Sequence, residues 1–173
     1  MKKFIPAIIA AVVSVFISGC EDERLDHMLW FYTCESKNET GVSRTIVTMP
    51  NSGFEVIANK REFMSSADLE RVDLAYVDMP DGTRLIGLQV TCNAKGAKKL
   101  SRETAASMGG WILMKENQIP VGLRNIDMMM NGGKFFIPLE FPEGTDLQQK
   151  VEEFNKDISV IAPRVMERDN SVW

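Results

Sequence analysis

Two strand-like runs, Asp73 to Met79 and Thr83 to Cys92, flank Pro80-Asp81-Gly82, and no other pattern narrows the folds open to this chain as much. Asp-Gly between strand runs supplies the positive φ that a tight hairpin turn needs. A helix follows directly. Asn93 caps it, and from about Ala94 to Met108 the residues Ala97, Leu100, Thr104, Ala105 and Met108 keep helical spacing. Lys95, Lys98, Lys99 and Arg102 occupy the opposite side, and Gly109-Gly110 ends the helix.

The flanking sequence adds strands. Leu29 to Glu35 is aromatic and β-prone, Ser36 to Ser43 reads as a turn, and Arg44 to Met49 as its return strand. Pro50-Asn51-Ser52-Gly53 turns the chain into a further strand, Phe54 to Ala58. Ser65 or Ser66 caps a short helix through Val72, with Asp68 near its positive end. Beyond the main helix, Trp111 to Met114 is wholly apolar, as in a central strand, and Lys115 to Gln118 turns it into a return strand, Ile119 to Ile126. Asn131-Gly132-Gly133 introduces the alternation of Phe135, Ile137, Leu139 and Phe141, in which Pro138 implies a sheet edge. The last helix starts at a capping-box pattern, Thr145 and Gln148, carries Leu147, Val151, Phe154, Ile158 and Ile161 as one stripe, and is closed by Pro163. The expected fold is α+β, a mixed or antiparallel sheet with two main helices packed on one face.

The N-terminus has a different character. Met1-Lys2-Lys3 is a positive start, followed by an apolar run from Phe4 to Ile17, too short for a comfortable membrane span. Its end, Ile17-Ser18-Gly19-Cys20, resembles the lipobox cut by the lipoprotein signal peptidase. That resemblance implies a signal over residues 1–19 and acylation of Cys20, where several chains on one residue hold a protein at a membrane surface. Glu21 is not the aspartate associated with inner-membrane retention, which points to the outer membrane over the inner, with the domain in the periplasm. Residues 20–28 then form a lipidated tether, residues 29–62 a β-rich segment, residues 63–162 the main α+β domain and residues 163–173 a polar tail.

About 150 residues without the signal suffice for one core-bearing domain. Lys2 and Lys3 leave with the signal, so the formal charge of −4 becomes −6, which gives no general attraction for nucleic acid. Cys34 and Cys92 lie in strand-like runs, in phase with Trp30 and Tyr32 and with Ile86, Leu88 and Val90. In an oxidising compartment they bridge if their strands pair or pack; otherwise they are two separately buried thiols.

From Phe63 to about Asp157 the order of elements and several short motifs resemble the head of the first periplasmic domain of SecD, a membrane component of the bacterial export machinery. The motifs are Ser66-Ala67-Asp68-Leu69, the Asp81-Gly82 turn, Gly96-Ala97-Lys98-Lys99-Leu100 with Thr104 and Gly109, the strand Trp111-Ile112-Leu113-Met114, and Gly133, Ile137 and Phe141. Several positions depart from the pattern: Ser107 where the family has Asn, Glu116-Asn117 for its Asp-Gly turn, Pro120 displaced from the expected proline, and Leu139 for its second glycine. The resemblance implies contact with a protein or a partly unfolded polypeptide.

Catalytic constellations are scarce. His27, the one histidine, sits beside Asp26 and reads as a solvated tether residue. No motif calls for a metal or cofactor, and the sequence reads as a non-enzyme. Asp78, Asp81 and Glu116 would support carboxylate chemistry only by converging in one pocket. Met128-Met129-Met130 is the most unusual local feature. Copper(I) ligation is opposed by the alternation of adjacent side chains, which leaves core filling or an adaptable apolar contact surface. As a binding surface, the sequence nominates Met128, Met129 and Met130 together with Ile119 and Pro120. The leading expectation is a lipid-anchored, non-catalytic binding module at the cell envelope, accessory to protein export. The alternative is an envelope inhibitor or exclusion lipoprotein that presents an acidic protruding loop to an enzyme, transporter or phage receptor.

Overall fold

The computed structural model describes residues 25–36 and 45–170, and within these no side chain is described at 36, 162 or 164–170. The signal, Cys20 and the turn expected before Arg44 lie outside the described residues.

Among the described residues, nine strands and two helices make an α+β fold in which every strand pairing is antiparallel. The strands are β1 Leu29–Ser36, β2 Thr45–Thr48, β3 Glu55–Ala58, β4 Met64–Ser65, β5 Leu69–Asp78, β6 Arg84–Cys92, β7 Trp111–Glu116, β8 Ile119–Asn125 and β9 Lys134–Pro138; the helices are α1 Ala94–Ala106 and α2 Leu147–Asn170. The strands divide between two sheets. One runs β2-β3-β1-β7-β8, with β4 also on β1, and the other runs β5-β6-β9. An isolated bridge, Gly122 to Leu139, joins β8 to the end of β9. Glu140 N–H donates to the Val121 carbonyl at 2.9 Å beside it.

The larger sheet separates two cores because side chains alternate across it. Leu29, Phe31, Ile112 and Met114 point to the main core, where Leu88, Val90, Phe135 and Ile137 of the smaller sheet meet Leu100 of α1 and Val151, Phe154 and Ile158 of α2. Cys34, Val47, Val56, Ala58 and Leu113 form a small second core on the opposite face. This geometry corrects the proposed bridge. Cys34 and Cys92 are free, buried thiols in different cores, with the sheet between them.

Four further expectations change. The helix expected from Ser65 or Ser66 is only a 3-10 turn, Ser66–Asp68, because β5 begins at Leu69. Asp68 is buried and paired with Lys99 at 2.7 Å, and its carbonyl lies against Gly96, where a Cβ would come within 2.1 Å. Only glycine lets α1 approach that turn so closely. The buried face of α1 is therefore Gly96, Leu100 and Thr104, and Met108 is exposed beyond the helix end. At α2 the cap is Asp146, not Thr145: its Oδ1 accepts from the N–H groups of Gln148 and Gln149 at 3.0 and 3.1 Å. Pro163 lies inside α2, which continues to Asn170, so that the segment expected as a polar tail is helical to that point. The proline forfeits one backbone hydrogen bond, and the helix-favouring residues after it continue the turn.

Candidate functional site

The hairpin predicted around Pro80-Asp81-Gly82 is longer than the body beneath it. Strand β9 accompanies β6 only as far as the pair Gly87–Pro138, with Leu139 N–H donating to the Ile86 carbonyl just beyond. From there to the turn, residues 76–86 form an arm of two strands. Its cross-strand pairs are Tyr76 with Ile86, Val77 with Leu85, and Asp78 with Arg84. Alternation puts Tyr76 and Ile86 on one face and Val77 and Leu85 on the other. All four are exposed, Tyr76 by 56%, and Met79 extends the apolar surface toward the tip. Exposed apolar side chains on both faces of one projecting hairpin are uncommon in a domain that has buried its core.

Within the arm Arg84 pairs with Asp78, and Asp81 is held by hydrogen bonds to Thr83. Arg84 Nε lies 2.7 Å from Asp78 Oδ1, and its guanidinium carbon sits 6.0 Å from the centre of the Tyr76 ring. Asp81 accepts from the Thr83 hydroxyl at 2.6 Å and from its N–H at 2.9 Å, bonds that hold its carboxyl below the usual range. Asp78 and Asp81 are thus turn and strand partners at an exposed tip. Glu116 is buried at the end of β7 with other partners, so the three carboxylates do not share a pocket.

Strand β5 is an edge of the smaller sheet, and the structure treats its two halves differently. At Val72, Asn155 of α2 accepts from the backbone N–H at 2.9 Å and donates to the carbonyl at 2.7 Å, as a neighbouring strand would. Val72 therefore turns both backbone groups away from β6. With a period of two, so do Leu74, Tyr76 and Asp78. The bond from Met79 N–H to the Thr83 carbonyl, 2.8 Å, fixes the same phase from the turn. The helix covers the edge at Val72, and farther along the strand Tyr76, Val77 and Asp78 are exposed.

The residues nominated by the sequence fall elsewhere and apart. Ile119 and Pro120 stand at one end of β8, Ile119 exposed by 62%; Met128 and Met129, exposed by 59% and 47%, follow its other end. A strand of this length separates them by about 20 Å. Met130 is in the main core, its N–H donating to the Thr104 hydroxyl at 3.0 Å. An open cleft of about 400 Å³ beside Asn131 is lined by Ala97, Lys98, Ser101 and Arg102 of α1.

His27 is not a solvated tether residue. Its Nδ1 lies 2.7 Å from Glu116 Oε1 and its Nε2 3.5 Å from Glu153 Oε2, while its backbone N–H donates to Asp157 at 2.8 Å. Lys150 completes the group, 2.9 Å from Glu116 and 3.2 Å from Glu153. Burial pulls the Lys150 pKa down, but the two glutamates outweigh it and the net shift is upward. Burial raises Glu153, and Lys150, Gln149 and His27 outweigh that in turn, lowering it. Asn117 adds two bonds to the carbonyls of Asp26 and Met28. The group pins residues 26–28 where the chain enters β1. Partners 89 or more residues away gave no local signal of it. Among the described residues, no group of acidic, histidine and cysteine side chains is arranged to hold a metal ion.

No protein-family model matches the chain, and no curated protein sequence does. Solved structures do. One is described as SecDF, a membrane component that enhances protein export; it aligns at a TM-score of 0.48 and 13% identity over 91% of this chain and 70% of the other. A second, SecDF in its super-membrane-facing form, aligns at a TM-score of 0.50 and 16% identity over 77% of this chain. This chain spans about a fifth of that protein's length, 18%. The fold is SecD-like.

Proposed function

We propose that this chain is a lipid-anchored, non-catalytic binding module of the cell envelope that contacts a protein or polypeptide, as an accessory to protein export. The exposed apolar arm at residues 76–86 carries the reading. It is a surface for another chain, and its charged groups are engaged by partners within the hairpin. The SecD-like fold supports the same direction, and the sequence motifs from Phe63 to Asp157 resemble the first periplasmic head of SecD. The Cys20 lipobox supports anchoring, and no described helix is long and apolar enough to cross a membrane. A Cys20→Ser variant is then expected to leave the membrane fraction; retention there would overturn the anchor.

Crosslinking in intact cells tests the binding role. Photoreactive groups at Tyr76, Ile119, Met129 and Lys98 are activated, and the adducts are identified by mass spectrometry. The expected result is adducts to export components or to many secreted polypeptides, concentrated at Tyr76. A second reading, an envelope inhibitor, draws on the protruding tip with Asp78 and Asp81. It predicts instead one stoichiometric envelope partner captured at the turn.

A further inference from the structure

We infer that the open edge of β5, residues 74–78, takes up an extended, uncharged polypeptide segment as an additional strand. The inference rests on the proposed polypeptide partner and adds the mode of binding and the chemistry of the segment. Backbone geometry carries it. Leu74, Tyr76 and Asp78 direct their N–H and carbonyl groups outward from the sheet, in phase with Val72, whose two groups Asn155 already satisfies. An open row of such groups is a template for main-chain pairing, and natural edges are usually blunted by short length, lysine, proline or a covering element. Here the covering helix meets the strand at Val72, and residues 74–78 contain neither lysine nor proline.

The side chains define the occupant. A strand laid on this edge sets alternate residues beside Tyr76 on one face and beside Val77 on the other, both exposed and apolar. Arg84 and Asp78 neutralise each other, so the edge offers no net charge to select a charged partner. The fitting ligand is about five consecutive residues, apolar on both faces and extended. Folded proteins bury such segments, and unfolded chains expose them. A second copy of this chain fits less well. The open strip is about 17 Å long and one strand thick, and pairing two such strips falls far below the roughly 1,200 Å² of a stable interface.

The test uses the full-length protein and a fluorescent peptide of valine, phenylalanine, valine, threonine and valine between terminal lysines. Two further peptides carry N-methyl groups on one or the other set of alternate amides. The expected result is that one methylated peptide loses roughly tenfold or more in affinity and the other little, since only one set faces β5. Tyr76→Pro removes an outward N–H without touching the ladder to β6 and is expected to weaken the parent peptide roughly tenfold or more, and by more than Tyr76→Thr, which loses the same ring but keeps that N–H. Equal binding of both methylated peptides would overturn strand addition even if the proline variant fails to fold. Binding of unfolded polypeptide that Tyr76→Pro leaves unchanged would overturn it alone and leave the binding role standing. Failure of every peptide and unfolded chain to bind would remove both. Sedimentation that shows a dimer abolished by Tyr76→Pro would assign the edge to a second copy and overturn the inference.

Discussion

Cys34 and Cys92 show how one residue's meaning depends on which side of a sheet it faces. Burial pushes both thiols up to about 12, so neither is an effective nucleophile at neutral pH. Native protein is expected to resist iodoacetamide at both positions, and unfolded protein to react at both, as peptide mapping would show. A peptide linked through Cys34 and Cys92 would contradict the two-core arrangement. The His27 group makes a pH prediction. Glu153 has a lowered pKa in the folded state, so its contribution to stability is present above its ordinary value of 4.5 and lost as pH falls through the lower folded value. Lys150 has a raised pKa, so its contribution is present below 10.5 and lost as pH rises through the higher folded value. Glu153→Gln should therefore flatten the acid side of a denaturation series run across this range. An acid limb as steep as that of the parent protein would show that Glu153 is not held as the contacts imply.

Among the elements, β5 is the one whose two ends are treated differently. Asn155 substitutes for a missing strand at Val72, and Asn155→Ala leaves that N–H and carbonyl without their partner. The expected cost is about 1–3 kcal/mol in urea unfolding, with faster amide exchange at Val72. A change within a few tenths would mean that water serves the edge as well as the helix does. The hairpin itself was readable because Asp81-Gly82 and the alternation around it are local, and Gly82 does adopt a positive φ of 84°. The short helix before it misled for an equally local reason. Ser65, Ser66 and Asp68 have capping chemistry, but Asp68 uses it to close a single turn, its Oδ2 accepting from the Ser65 N–H at 3.1 Å. The pairing of Asp68 with Lys99 and the approach of Gly96 then fix that turn from 28 or more residues away.

At the scale of the molecule, the division of the described strands into two sheets follows from long-range register, which alternation alone does not specify. The α+β class and the two helices could be read from periodicity, and the main core residues Leu88, Val90, Leu100, Phe135, Ile137, Val151 and Phe154 from the same pattern. The open arm could not, since Tyr76 and Ile86 carry the same alternation as the buried Leu88 and Val90. Only the early end of β9 at Pro138 makes the difference. The nominated surface at Ile119 and Met128 was separated by the length of β8, and the arm takes its place as the candidate contact. Truncating exposed Val77 and Leu85 to serine should change stability by no more than about 0.5 kcal/mol. Polypeptide binding should fall sharply in the same variant. A loss of several kcal/mol would instead make the arm part of the fold.

The most direct test is amide exchange followed by NMR on the full protein, alone and with a reduced, unfolded polypeptide. In the free protein the amides of Leu74, Tyr76 and Asp78 should exchange quickly, and those of Ala75 and Val77, which face β6, slowly. Added polypeptide should slow the first three and leave the other two unchanged. Uniform protection of the whole arm, or none, with protection appearing instead around Ile119 or Met129, would contradict a polypeptide-binding edge at β5.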